Sequence, residues 1–293
     1  MLKDLFGKTQ NEKKKNIIRI IYLTVAVILM ISVALAIALA VGSTKSDIPE
    51  NNGEDTTQVT EKVVKYSFAD TQKGTLIVVN KNNEFNFEAN ESALVSISAQ
   101  NYSLKYDNMR ANKTALSALN KMLGDFYNQA TDKDTAKKLT ICSAYRSFEE
   151  QKGFSFPQGR SDFHTGMLFE LAIDSAGNSI TGIEAFKWIY ENAQNYGFVQ
   201  RYPYEKSAET GVNNLDNAFR YVGVPHAKYM KEHNLCLEEY VALIQTATEP
   251  IVSDGYKITY VKANTEGQTE ITVSSNNYIV SGDNMGGFIV ATK

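Results

Sequence analysis

Apolar and polar positions alternate with two different periods along this chain, and one stretch shows neither period. Residues 20–41 form an uncharged run of 22 residues dominated by Val, Ile, Leu and Ala, and about 20 apolar residues suffice for a helix to cross a bilayer. From about Lys113, Leu116, Leu119, Met122, Leu123 and Phe126 recur at spacings of three and four, which predicts an amphipathic helix with these residues in the core. Leu139 and Ile141 alternate with polar neighbours, predicting a strand over 138–143 that delivers Tyr145 and Arg146 at its end. The β-rich stretch 74–80 runs into Lys81-Asn82-Asn83 and reads as a strand leaving into a turn. Strands are also predicted over 256–261, 269–273 and 286–290, between Gly, Asn and Ser turns.

Capping signals add two helices. Ser147 with Glu150 three residues later opens one, and Pro157 should end it within about two turns. Thr181 with Glu184 opens another whose apolar face is Ile183, Phe186 and Ile189, closed by Gly197. Strands and helices in this order predict an α+β fold.

Composition fits a folded domain: 43% of the 293 residues are hydrophobic and 11% aromatic, and the net charge of −3 provides no basic face for nucleic acid. Before the apolar run stand Lys3, Lys8, Lys13, Lys14, Lys15 and Arg19 against Asp4 and Glu12, a bias that keeps the N-terminus in the cytoplasm and exports the rest. Ala38-Leu39-Ala40 has the small-x-small form of a signal-peptidase site, but the run exceeds a signal h-region of about 7–15 residues, so it is read as a retained anchor. Residues 42–62 are polar and read as a flexible tether. Two cysteines, Cys142 and Cys236, allow one bridge at most or two buried thiols.

The segments Ser143-Ala144-Tyr145-Arg146-Ser147, Gly159 through Glu170, and Thr210-Gly211 through Gly223 resemble the VanY-like D-alanyl-D-alanine carboxypeptidases, zinc peptidases of the VanY/hedgehog type. The resemblance spans roughly 66–239, is strongest over 141–227, and implies a small antiparallel sheet with packed helices. It implies that Phe163 and Ala218 stand where the family has histidine ligands, Glu170 where it has an aspartate ligand, and Leu215 where it has the catalytic glutamate. The spacing from Ser161 to Glu170, and from Thr210 to Gly223, is unbroken, so these are substitutions rather than shifts of register.

Phe163 and Ala218 carry no lone pair and Leu215 cannot accept a proton, whereas a catalytic zinc needs three protein donors and a nearby base. Glu170 and His164 are the weak metal candidates that remain. His164 adjoins a vacant ligand position but should face away on an extended segment; His226 reads as structural and His233 as surface. On the binding side, Tyr145, Arg146, Gln151 and Ser161 match the family residues that hold the peptide carboxylate and orient the scissile bond. Arg146 is either such an anion clamp or an internal ion-pair partner. Arg201-Tyr202-Pro203 with Lys206 matches the pocket wall. Only nine residues separate Gln151 from Ser161, fewer than the family usually has.

Five segments are expected: a cytoplasmic tail at 1–16, a transmembrane helix at 17–41, a linker at 42–62, the carboxypeptidase-type domain at 63–250 and a β-rich appendage at 251–293. The function expected from the apolar run, the charge bias and the resemblance together is a single-pass membrane protein whose extracytoplasmic domain has lost zinc and peptidase activity. It would bind a peptidoglycan stem peptide or a cell-wall protein, with no nucleic acid and no cofactor. The alternative is an active D-alanyl-D-alanine carboxypeptidase with a rearranged metal site, which would use zinc.

Overall fold

The spacing of Leu116, Leu119, Met122, Leu123 and Phe126 becomes helix α1 (Lys113–Gln129), with all five side chains buried. Asn112 caps it, accepting the Thr114 and Ala115 N–H groups at 3.0 and 3.2 Å. The computed structural model describes residues 61–88, 93–274 and 277–293. The expected cytoplasmic tail, the transmembrane helix and all of the linker except Glu61 and Lys62 lie outside the described residues. Among the described residues, no helix is long and apolar enough to cross a membrane.

In chain order the strands are β1 (Glu61–Tyr66), β2 (Leu94–Ser96), β3 (Ser103–Leu104), β4 (Arg110–Asn112), β5 (Thr140–Ser143), β6 (Leu168–Ala172) and β7 (Phe198–Gln200). They continue as β8 (Ala218–Tyr221), β9 (Ile251–Ser253), β10 (Tyr256–Lys262), β11 (Thr269–Ser274), β12 (Tyr278–Gly282) and β13 (Gly287–Thr292). The central sheet has the order β3-β5-β6-β8-β7, antiparallel except where β3 joins β5 in parallel. Period two divides its faces. Ile141, Phe169, Leu171, Phe198 and Phe219 pack with α1 on one side, while Leu168 and Ala218 belong to a separate cluster on the other.

Two more helices, α2 (Val224–Glu232) and α3 (Leu237–Thr246), cover a second core. There Met230, Leu237, Tyr240 and Ile244 meet Ile258, Ile289 and Ala291 of the C-terminal strands. The strands predicted after Tyr256 are present, together with β9 and β12: β10 and β13 join these two in a sheet ordered β12-β13-β10-β9, while β11 pairs along its length with β1. Residues 251–293, read as an appendage, thus share a core with α2 and α3.

Three local expectations are corrected. Segment 74–80 is not a strand: its alternating side chains serve two cores, with Ile77 and Val79 in one and Leu76 and Val78 in the other. Scattered partners satisfy its backbone instead of a ladder. The Leu76 N–H donates to Ser281 Oγ and the Val78 N–H to the Asp283 carbonyl, while Arg220 donates to the Thr75 and Ile77 carbonyls. The capping bonds of Ser147 and Glu150 form at 2.7 and 3.2 Å, but residues 148–153 make a succession of turns rather than a helix; Gly153 already has φ 88, and Pro157 lies beyond it. Thr181 does not cap a helix. Its hydroxyl meets Tyr190 Oη, and the run from Glu184 to Tyr196 is an α-helical turn and a half between two 3-10 turns, ended at Gly197.

Candidate active site

Strand pairing assembles the site. On β6, Glu170 stands opposite Ser143 of β5 on one side and Ala218 of β8 on the other. The register shifts between Ile141 and Ser143, and this bulge turns Ser143 toward Glu170 while Ile141 stays in the α1 core. Upstream of β6, Asp162–Thr165 forms a 3-10 turn closed by Gly166 at φ 67. A Cβ at Gly166 would lie 2.9 Å from the Asn112 backbone nitrogen, so only glycine fits this junction.

The turn drives the Phe163 ring into an apolar cluster with Leu168, Tyr202, Val212 and Ala218, against which Phe156 and Leu215 pack. Three of the four altered positions therefore meet in one hydrophobic cluster, and the fourth, Glu170, borders it through its pairing with Ala218. Glu170 Oε2 accepts the Ser143 hydroxyl at 2.8 Å. The residues do not fit zinc. A tetrahedral site needs three or four donor atoms, Phe163 and Ala218, which the resemblance puts in the place of ligands, carry only carbon, and no group of three or more His, Cys, Asp or Glu able to hold a metal occurs among the described residues.

Arg146 lies over this cluster. Its guanidinium is 4.2 Å from the Phe163 ring centre and 3.8 Å from that of Phe154, and its Nη2 donates to Ser143 Oγ at 2.7 Å. Arg146 thus reaches Glu170 through the Ser143 hydroxyl, not by a direct ion pair. Burial lowers its pKa from the ordinary arginine value, opposed by the Glu170 carboxylate; the group stays charged. Gln151 and Ser161 are both buried. Gln151 Nε2 donates to the Phe156 carbonyl at 2.9 Å, while Gln151 Oε1 and Ser161 Oγ have no hydrogen-bond partner among the described residues. Tyr145, next to Arg146 in the chain, has its ring 5.0 Å from the Arg110 guanidinium.

His164 is not on an extended segment but within the 3-10 turn, and it is buried. Its Nδ1 sits 2.7 Å from the Arg146 carbonyl oxygen and its Nε2 accepts the Gly159 N–H at 3.0 Å. A carbonyl only accepts, so Nδ1 carries the proton and neither nitrogen has a lone pair left for a metal. Burial is the main cause holding its pKa below the ordinary histidine value, against the Arg146 carbonyl bond. His226 is buried against Tyr240 Oη at 2.7 Å, and burial pushes its pKa down to about 3. His233 is exposed beside Tyr229. Both cysteines are free and buried.

Beside the apolar cluster lies a group of paired buried charges that sequence reasoning missed. Asp162 accepts Arg201 Nε at 2.6 Å and Arg220 Nε at 3.0 Å, all three side chains fully buried. Arg201 also forks onto both Glu238 oxygens at 2.8 and 2.7 Å. Burial works against the Arg201 charge, yet Glu238 foremost, with Asp162, raises its pKa well above the ordinary value. Read as pocket wall, Arg201 instead supports the turn that carries Phe163. The available signal was a charge at an inward strand position: Arg220 shares a face with Ala218 two residues away.

An α+β domain with these motifs on a five-stranded sheet has the frame of a peptidoglycan D,D-peptidase. The chain belongs to the VanY-type D-alanyl-D-alanine carboxypeptidase family. Residues 152–224 match the family described as VanY, D-alanyl-D-alanine carboxypeptidase. A D-alanyl-D-alanine carboxypeptidase of Enterococcus faecium is 31% identical over 265 residues, 84% of this chain and 80% of that protein. The putative carboxypeptidase YodJ of Bacillus subtilis is 33% identical over 134 residues, 36% of this chain and 48% of that protein. Among solved structures, the vancomycin-resistance D,D-dipeptidase VanXYg, bound to a D-Ala-D-Ala phosphinate analogue, superposes with a TM-score of 0.67 at 25% identity, covering 79% of this chain and 98% of that one.

Proposed function

We propose that this chain is a carboxypeptidase homologue without peptidase activity that binds the carboxylate end of a peptidoglycan stem peptide outside the membrane, held there by a single N-terminal helix. The observation that carries this reading is the cluster of Phe163, Leu215 and Ala218: side chains without donors or base pack together where the family resemblance puts ligands and catalytic glutamate. Retention of the rim supports binding. Arg146 keeps its charge beside the cluster and lines the cleft at the end of β5.

Without a base or a metal, the site's chemistry is recognition. Arg146 offers a planar fork of N–H donors to a carboxylate, its position fixed by Ser143 and the two flanking rings. Export is supported by the charge bias before residues 20–41. Calorimetric titration of a peptide ending in D-Ala-D-Ala into the wild type and Arg146→Ala tests the reading. Binding that weakens at least about tenfold in the variant, with the peptide intact afterwards, is expected, as for a lost charge-assisted bond. Equal affinity for both proteins would refute it.

A further inference from the structure

Next to Arg146, at the end of β5, the molecule opens into a cleft of about 290 Å³. Lys105, Arg110 and Arg146 line it against a single acid, Glu150. Glu150 is already engaged, since its Oε2 accepts the Ser147 N–H at 2.7 Å. Among the described residues none of the three cations forms an ion pair with a carboxylate.

Each rests on an aromatic ring instead. Lys105 Nζ lies 5.7 Å from the Tyr106 ring centre, the Arg110 guanidinium 5.0 Å from Tyr145 and the Arg146 guanidinium 3.8 Å from Phe154. A ring face orients a cation without cancelling its charge. Ion pairs would have closed the cleft to anions; stacking leaves it open to them. Tyr106 and Phe154, 57% and 54% exposed, supply apolar walls between the charges.

We infer that this cleft binds a peptide through two carboxylates, one at Arg146 and a second, upstream in the peptide, between Arg110 and Lys105. The inference rests on the proposed role of Arg146 as a carboxylate clamp and extends it. A ligand with one negative charge would satisfy Arg146 and leave Arg110 and Lys105 with Glu150 alone, two positive charges against one. An acidic peptide matches both ends, its backbone lying along Tyr106 and Phe154.

The test uses two synthetic peptides ending in D-Ala-D-Ala, one with a free glutamyl α-carboxylate upstream and one with that carboxylate amidated, titrated into the full chain at low salt. The diacid should bind about tenfold more tightly, as expected for one added charge-assisted contact. In the Lys105→Gln/Arg110→Gln double variant that advantage should vanish while affinity for the amidated peptide is unchanged. Equal affinity for the two peptides in the wild type, with both still dependent on Arg146, overturns this inference alone, as does an advantage that survives in the double variant. Failure of either peptide to bind, or binding indifferent to Arg146, overturns the clamp and the second contact together.

Discussion

Asp162 and Phe163 are adjacent in the chain and buried to the same degree, 1% exposed each, yet they serve opposite kinds of interior. Asp162 enters a layer of paired charges with Arg201 and Arg220; Phe163 enters a cluster of carbon atoms with Leu168, Val212 and Ala218. The ionic layer is scaffolding that holds the 3-10 turn against the sheet, and it is intact. On the proposed reading, the apolar cluster stands where the family resemblance puts the chemistry. Charged and apolar interiors are thus separate packing problems that meet at one turn.

The two interiors should differ in what they tolerate. Asp162→Ala leaves two buried guanidinium groups without their shared partner, and chemical denaturation should register a loss of about 3–5 kcal/mol. A loss under about 1 kcal/mol would mean that the layer is not what holds the turn. Phe163→Ala opens a cavity beneath Arg146 and should cost about 3 kcal/mol by the same measurement.

Acid should act on the ionic layer through Glu238 and on the second core through His226, which meets Tyr240. Burial would raise the Glu238 pKa, but Arg201 outweighs it and holds the carboxyl below its ordinary value. Its contribution is therefore present above its unfolded pKa and lost as pH falls through the folded one. His226, depressed to about 3, stays neutral when folded but takes a proton in the unfolded chain below about 6.5. Stability should thus fall on acidification from about pH 6.5 toward 3 by up to about 1.4 kcal/mol per pH unit for this one group. Denaturant midpoints at pH 7, 5.5 and 4.5 check this; a flat profile in wild type, or a slope kept in His226→Gln, contradicts it. The smallest effect belongs to Phe163→Leu, a swap within an apolar cluster, which should cost less than about 1.5 kcal/mol.

Much of this was legible in the chain, for identifiable reasons. Motif spacing placed Phe163, Leu215, Ala218 and Glu170 together, because the strands and turns that carry them keep their lengths. Helix α1 followed from its apolar period. The ionic layer was not legible, since nothing in a single sequence pairs Asp162 with residues 39 and 58 positions away. Nor was the bulge that aims Ser143, because a one-residue register shift leaves no trace in composition. Segment 74–80 misled for a physical reason: alternation feeding two cores resembles a strand, yet the partners of its backbone come from distant loops and side chains. His164 misled because a 3-10 turn replaced the extended backbone on which its orientation was argued.

On the proposed function, hydrophobic core occupies the place where the family resemblance puts a metal centre. The direct test is zinc content of the purified full chain after equilibration with the metal, measured alongside D-alanine release from a D-Ala-D-Ala peptide. Zinc far below one equivalent per chain and no release above the rate without protein are expected. Stoichiometric zinc accompanied by D-alanine release would contradict that function.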